Sequence, residues 1–153
     1  MKAIEADKSK AEARRMVGGV IVTHGHLASE FIAAAEMIVG RPMPHITQAS
    51  IDWHDDIDVA RGELERAISR VSNGRGVLLL TDMFGGAPTD IASMFLADSE
   101  IEVVTGVNLP MILKLSDQSV DESLAYVARR VREAGKDGIH LAGELLAPPP
   151  KAD

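Results

Sequence analysis

Along the chain, segments with the hydrophobic pattern of β-strands alternate with segments that have the pattern of α-helices. Short runs suited to strands occur at residues 17–23, 76–81 and 101–105, and residues 45–51 are expected to form a weaker second strand. The run at 76–81, Gly-Val-Leu-Leu-Leu-Thr, is almost wholly apolar, which is typical of a strand covered on both faces. A last short strand is expected at 138–142, Gly-Ile-His-Leu-Ala.

Between these runs, apolar residues recur at the three- and four-residue spacing of helices. Helices are expected over four segments: residues 27–39, 55–71, a stretch from Pro88 and about 120–134. The first helix is expected to place four residues on one face: Leu27, Phe31, Ala34 and Ile38. Strands that alternate with helices imply right-handed βαβ units. The predicted fold is therefore α/β, with three layers and a mostly parallel, doubly wound sheet.

This pattern occupies one predicted domain, residues 17–146. Residues 1–16 precede it as a flexible N-terminal extension, and Met16 is an alternative start because the folded pattern follows it directly. Residues 147–153, Ala-Pro-Pro-Pro-Lys-Ala-Asp, are expected to form a disordered tail, because three prolines cannot continue a helix or strand.

Composition narrows the classes of function. The formal net charge is −7, the basic residues are scattered, and aromatic residues make up 3% of the chain, so a nucleic-acid partner is not expected. The chain has no cysteine, no apolar stretch long enough to cross a membrane and no secretory signal at its start. These features favour a cytoplasmic protein.

The first and third predicted strands end in residues that can carry chemistry. Thr23-His24-Gly25 ends the first strand, and Asp82 follows the third. In a flavodoxin-like sheet these two strands are neighbours at the point where strand order reverses, which is where ligands bind in such folds. His24 and Asp82 are therefore expected to face each other.

This pair, with the turn that follows Asp82, predicts a phosphoryl acceptor. An aspartate that accepts a hydrogen bond from one ring nitrogen fixes the histidine tautomer and makes the other nitrogen the nucleophile. Gly85, Gly86 and Ala87 would offer backbone N–H groups to the phosphoryl oxygens at the start of a helix. Each part also has an ordinary reading: a polar residue leaving the core, a capping aspartate and a common tight turn.

Other chemistries fit these residues less well. His24 and His26 are compatible with a metal-ligand pair, but a third spaced ligand is missing, so neither a metal nor a cofactor is expected. A dinucleotide site would need G-x-G-x-x-G after the first strand, and an aspartate-phosphorylated receiver would need paired acidic residues there. The sequence has neither at this position. The remaining histidines are expected at the surface or at strand edges: His45, His54 and His140. Trp53 is assigned to ordinary packing.

Three blocks of the sequence resemble the IIA component of the mannose family of the bacterial phosphoenolpyruvate-dependent phosphotransferase system. They are IVTHGHLASEF, LLLTDMFGGAPTDIA and VVTGVNLPMILKL, and they follow in the order and spacing of that family. The resemblance covers roughly residues 17–146. It implies that His24 accepts a phosphoryl group from the histidine phosphocarrier HPr, that Asp82 orients the His24 ring, and that the chain forms a homodimer by exchanging the strand at 138–142.

The resemblance leaves two functions open. In mannose-type transporters the recipient of the phosphoryl group is a IIB unit that phosphorylates the incoming sugar, so contact with the membrane is indirect, through the transporter complex. Because the sequence ends close to the end of the IIA-like region, a fused IIB domain is not expected. The sequence also resembles members of incomplete phosphotransferase systems, which regulate a protein partner instead. A second departure is Ala87, which stands where some relatives carry a hydroxyl residue.

Overall fold

Four parallel strands form the central sheet in the computed structural model, which describes residues 1–52 and 54–148. The strands are β1 (Gly18–His24), β2 (Ile46–Ile51), β3 (Val77–Thr81) and β4 (Ile101–Thr105). Their order in the sheet is β2-β1-β3-β4, and each neighbouring pair is parallel. The predicted α/β fold with a doubly wound sheet is confirmed, and β1 and β3 are neighbours as expected.

Helices connect the strands and cover both faces of the sheet. They are α1 (Lys2–Ala13), α2 (Leu27–Val39), α3 (Ile57–Val71), α4 (Ala87–Ser93), α5 (Leu109–Ser116), α6 (Leu124–Asp137) and α7 (Ala142–Leu145). The core residues of α2, α5 and α6 pack on one face, and those of α3 and α4 pack on the other. Alternate strand residues serve the two layers, so Ile21 faces the first and Val20 and Val22 face the second.

Helix α5 is absent from the sequence-based prediction, although its start is marked in the sequence. Asn108 caps it by accepting a hydrogen bond from the Met111 N–H at 3.2 Å, and Pro110 lies in its first turn. The helix packs closely on β1, because a Cβ added to Gly19 would come within 2.5 Å of Leu115 Cδ2.

The four residues predicted to share one face of α2 do not all face the core: Phe31 packs against it, but two others do not. Leu27 and Ile38 are 44% and 59% exposed, whereas Ala28 and Ala35 are fully buried. The reason lies at the start of the helix, where the Ala28 N–H donates to the hydroxyl of Thr23 at 2.8 Å. This bond orients the start of the helix, so that small side chains are fully buried against the sheet while Phe31 and Ile32 pack against the core only in part.

The histidines outside the site are expected at the surface or at strand edges, and the surface placement holds at two of the three positions, while His45 directly precedes the edge strand β2. His54 and His140 are exposed. His45 is 3% exposed, with its Nε2 3.4 Å from the Leu115 carbonyl oxygen, so its placement at the surface is wrong. Burial lowers the pKa of the His45 imidazole, which favours the neutral ring as a packing residue.

The expected strand at 138–142 is also wrong for the single chain. Gly138 caps α6, residues 139–141 have no regular structure, and α7 begins at Ala142. A strand requires hydrogen bonds to a neighbouring strand, and none reaches this segment within the described residues. Exchange of this segment across a homodimer stays a prediction.

The ends of the chain differ in how far the structure describes them. The N-terminal extension contains α1, and the Asn73 side-chain amide donates to the carbonyls of Ala13 and Met16 at 3.0 and 2.8 Å. Its flexibility and the domain limits of 17–146 stay predictions. Most of the tail at 147–153 lies outside the described residues, as does Trp53. Among the helices that the structure describes, none is long and apolar enough to span a membrane.

Candidate functional site

The parallel pairing of β1 with β3 brings His24 and Asp82 together at the carboxyl end of the sheet. Val22 of β1 is opposite Thr81 of β3, so His24 and Asp82 emerge side by side. The His24 Nδ1 lies 2.7 Å from Asp82 Oδ2, and the His24 backbone N–H donates to the same oxygen at 3.0 Å. The predicted proximity of the two residues is confirmed, and both side chains are largely buried.

These contacts define the charge of Asp82. Burial alone would raise the pKa of the carboxyl, but hydrogen bonds from the His24 backbone and ring and from the Met83 N–H outweigh it, so the pKa lies below its ordinary value. Asp82 is therefore a carboxylate at neutral pH and can accept a hydrogen bond from a protonated Nδ1. With Nδ1–H donated to Asp82, Nε2 carries the lone pair of the neutral imidazole.

The Gly85-Gly86 turn lies against the imidazole edge that includes Nε2. A Cβ added to Gly86 would lie 3.4 Å from both Cε1 and Nε2 of His24, and Gly86 adopts a φ of 105°, in the region that favours glycine. No hydrogen bond within the described part of the chain occupies the N–H of Gly85 or Gly86. Ala87 is the first residue of α4, and Pro88 follows in its first turn.

Gly25 has a backbone conformation that favours glycine. It adopts a φ of 53°, and a Cβ at this position would meet nothing within 4 Å. The chain can therefore turn sharply from β1 into α2 directly after His24. His26 is exposed at the N-cap position of α2 and its side chain does not cap the helix. The structure thus pairs Asp82 with His24, and it places His26 at the surface of the next turn.

An acidic segment follows β2 and an exposed apolar pair follows β3, and these are the two strands on either side of β1. The segment after β2 follows Ile51, the register partner of His24, and carries four exposed aspartates: Asp52, Asp55, Asp56 and Asp58. On the other side, Met83 and Phe84 are exposed, the latter by 84%. Large exposed apolar residues beside charged ones are typical of a protein-docking surface.

The buried hydroxyls of Thr81 and Thr89, next to the turn, are not predicted from the sequence. Thr81 Oγ1 lies 3.1 Å from Thr89 Oγ1, and the Thr89 hydroxyl also bonds the Met83 carbonyl. No spacing or motif singles out these threonines, because their contact depends on how α4 folds back under the turn. Among the described residues, no three His, Asp or Glu side chains gather in a geometry that could hold a metal ion.

The chain is similar in sequence to components of the phosphotransferase system. A family model named EIIA-man and described as "PTS system fructose IIA component" matches residues 18–132. The chain is 33% identical over 144 residues to the PTS system mannose-specific EIIAB component of Escherichia coli (strain K12), covering 87% of this chain and 43% of that relative. It is 27% identical over 132 residues to the PTS system fructose-specific EIIA component of Bacillus subtilis (strain 168), covering 86% and 90% of the two chains.

A solved structure shows the same fold. The mannose/sorbose specific IIA subunit of the phosphotransferase system from Enterococcus faecalis superposes with a TM-score of 0.74 at 23% identity, over 82% of this chain and 94% of that one. The chain spans less than half the length of the Escherichia coli relative, which is an EIIAB component. The match over residues 18–132, together with the 33% identity, shows that the chain belongs to the mannose-type IIA family of the phosphotransferase system.

Proposed function

We propose that this protein is a cytoplasmic phosphoryl carrier, in which His24 accepts a phosphoryl group from phospho-HPr on Nε2 and passes it to a IIB unit during sugar uptake. The observation that carries the proposal is the 2.7 Å contact between His24 Nδ1 and the Asp82 carboxylate. This contact holds the tautomer in which Nε2 is the nucleophile. Membership of the mannose-type IIA family supports the same reaction class.

The transfer requires little proton movement. The lone pair of His24 Nε2 forms a bond to phosphorus as the bond between phosphorus and the HPr histidine breaks, and the electron pair of that bond returns to the HPr ring. Because Nδ1 keeps its proton, the phosphorylated His24 ring is cationic, and the adjacent Asp82 carboxylate stabilises it. One N–P bond replaces another, so the reaction is near-reversible and depends mainly on positioning.

The turn after Asp82 supplies the phosphate-binding part of the proposal. A Cβ added to Gly86 would lie 3.4 Å from His24 Nε2, so the turn that carries the N–H groups of Gly85, Gly86 and Ala87 borders the reacting edge of the ring. Successive backbone N–H groups in such a turn bind anions without a side-chain donor. Ala87 therefore contributes its backbone, and the missing hydroxyl does not remove the site.

The surface around His24 fits a carrier protein with basic and apolar contact residues. Four exposed aspartates follow β2, and Met83 and Phe84 flank Asp82 on the other side. Charge of one sign around a site accelerates encounter with a partner of the opposite sign, and this acceleration falls as salt rises. Transfer from phospho-HPr is expected to slow with ionic strength for this reason.

Phosphorylation by the complete relay tests the proposal. The protein is incubated with phosphoenolpyruvate, enzyme I and HPr, and the labelled residue is mapped under alkaline conditions that preserve phosphohistidine. His24→Ala should abolish labelling, whereas His26→Ala, the matched control one residue beyond Gly25, should retain it. Labelling that survives in His24→Ala and disappears in His26→Ala would overturn the assignment.

The recipient is tested separately. Addition of a purified mannose-type IIB domain to the phosphorylated protein should move the label from His24 to IIB. If the label stays on His24 in the presence of IIB domains, the protein is the alternative, a regulatory module whose phosphorylation state controls a protein partner.

A further inference from the structure

The two buried hydroxyls beneath the phosphate-binding turn have no part in the relay described above. Thr81 is the last residue of β3 and is fully buried, and Thr89, in the first turn of α4, is 5% exposed. The Thr89 hydroxyl contacts both Thr81 Oγ1, at 3.1 Å, and the carbonyl oxygen of Met83. Thr89 therefore links the end of the turn to its beginning.

The protons in this cluster can be assigned. A main-chain carbonyl only accepts, so the single proton of the Thr89 hydroxyl goes to Met83. The Thr81 hydroxyl then donates to Thr89 Oγ1, which makes a chain of two hydrogen bonds inside the protein. The Thr89 proton is thus committed to the turn and is not available to a phosphoryl oxygen.

The turn is held at its two ends and at the Gly86 carbonyl, which accepts a hydrogen bond from the Asp90 N–H at 3.0 Å. At the start, the Met83 N–H donates to Asp82 Oδ1 at 3.0 Å, and at the other end Thr89 bonds the Met83 carbonyl. Between these ends lie Gly85 and Gly86, both with positive φ. Glycines have wide conformational freedom, and the exposed Phe84 adds little packing to restrict them. The distance between the turn amides and the His24 ring therefore depends on the two ends being fixed as well as on the bond at Gly86.

We propose that Thr89 is a positioning residue for phosphoryl transfer: its hydroxyl closes the 83–89 turn and so holds the Gly85 and Gly86 amides at His24 Nε2. The inference rests on the proposed function above and extends it to a residue outside the reacting groups. In this role the hydroxyl acts through the Met83 carbonyl, and Thr89 touches neither the ring nor the phosphoryl group.

Two substitutions at this position separate positioning from simple stability. Thr89→Val keeps the shape of the side chain but removes the hydroxyl, and it leaves the Met83 carbonyl without its partner. Thr89→Ser keeps the hydroxyl and removes a buried methyl group. Both variants should lower the melting temperature, and only Thr89→Val should slow transfer. Thr47→Val, in β2 near the opposite end of the sheet, is the control for loss of a threonine hydroxyl elsewhere.

The rate of transfer from phospho-HPr to His24 is measured in single turnovers over a range of HPr concentrations. Thr89→Val should lower the maximal rate by about tenfold, which corresponds to about 1.4 kcal/mol, while Thr89→Ser and Thr47→Val stay within about twofold of wild type. A Thr89→Val rate equal to that of wild type, or a Thr89→Ser rate as low as that of Thr89→Val, would overturn the proposal.

A second measurement needs no phosphoryl donor. The 15N order parameters of Gly85 and Gly86 should be close to about 0.85 in wild type and in Thr89→Ser, and should fall towards about 0.6 in Thr89→Val. Unchanged order parameters in Thr89→Val would contradict the proposal that the Thr89 hydroxyl closes the turn. If the wild-type protein takes no phosphoryl group from HPr while Thr89→Val still shows this loss of order, the proposed function is refuted and the role of Thr89 in closing the turn is supported.

Discussion

The substitution Asp82→Asn tests the central contact of the site without changing the shape of the side chain. The carboxylate accepts three N–H donors: the His24 backbone and ring nitrogens on Oδ2, at 3.0 and 2.7 Å, and the Met83 N–H on Oδ1, at 3.0 Å. An asparagine has one oxygen and one NH₂ group in place of the two oxygens. Every orientation of the new amide therefore places a donor against at least one existing donor.

The two orientations of the new amide have different consequences. If its oxygen faces His24, the Nδ1–H bond survives as a neutral hydrogen bond and the Met83 N–H loses its acceptor. If its NH₂ group faces His24, the ring can accept from it only by moving its proton to Nε2, which removes the nucleophile. The first orientation keeps the reactive tautomer and the second destroys it.

The magnitude follows from the change in bond type. A hydrogen bond to a charged group contributes about 1.5–3 kcal/mol and a neutral one about 0.5–1.5 kcal/mol, so the loss in stabilising the cationic phosphorylated ring is about 1–2 kcal/mol. Since about 1.4 kcal/mol corresponds to a factor of ten in rate, transfer should slow by about tenfold or more. Population of the wrong tautomer would add to this factor.

The assay is single-turnover transfer of labelled phosphate from HPr, with the His24 tautomer read from the 15N shifts of its ring. Asp90→Asn is the matched control, because Asp90 is exposed in the first turn of α4 and its carboxylate makes no hydrogen bond within the described part of the chain. Transfer by Asp82→Asn within about twofold of the control would refute the reasoning, because it would mean that neither charge nor tautomer limits the reaction.

The same variant predicts a pH dependence of stability. Because the pKa of Asp82 is lower in the folded protein than its ordinary value of about 3.9, the carboxylate stabilises the fold above that pH, and this contribution is lost as the pH falls through the folded-state pKa. The difference in unfolding free energy between wild type and Asp82→Asn should therefore be constant above about pH 5 and shrink below about pH 4. A difference that grows as the pH falls below about 4 would contradict this sign.

Three further predictions concern the turn, the assembly and the packing of the sheet. Ala87→Ser should change the rate of phosphorylation little or raise it modestly, since the backbone already supplies donors, and complete loss of labelling would contradict an anion-binding turn. The protein should sediment as a dimer at micromolar concentration, and truncation before Gly138 should lower its solubility; a monomeric mass for the full chain would count against strand exchange. Gly19→Ala should lower the unfolding free energy by about 1–3 kcal/mol, because the added Cβ would lie 2.5 Å from Leu115 Cδ2. Gly62→Ala, in the interior of α3, should instead raise the unfolding free energy by about 0.5–1 kcal/mol. Calorimetry that ranks the two variants in the opposite order would contradict the packing of α5 on β1.

The sequence alone determines the sheet and the location of the site. An almost wholly apolar run such as Val77–Thr81 has few alternatives to a strand buried on both faces, and alternation with helices restricts the winding. Once β1 and β3 are neighbours, the residues that follow them must lie together at the carboxyl edge. This is why His24 and Asp82 can be paired from sequence across 58 positions.

Only the tertiary structure decides how each element is rotated and which side chains meet. The bond between Thr23 and Ala28 turns the small residues of α2 inward, which no apolar count indicates. The burial of His45 under Leu115 and the contact of Thr89 with Met83 depend in the same way on packing between segments distant in sequence. Periodicity reports which residues are apolar, whereas rotation and contact are set by the summed packing of all elements at once. A segment such as 138–142, which has no strand neighbour among the described residues, takes its conformation from its surroundings and not from its own sequence.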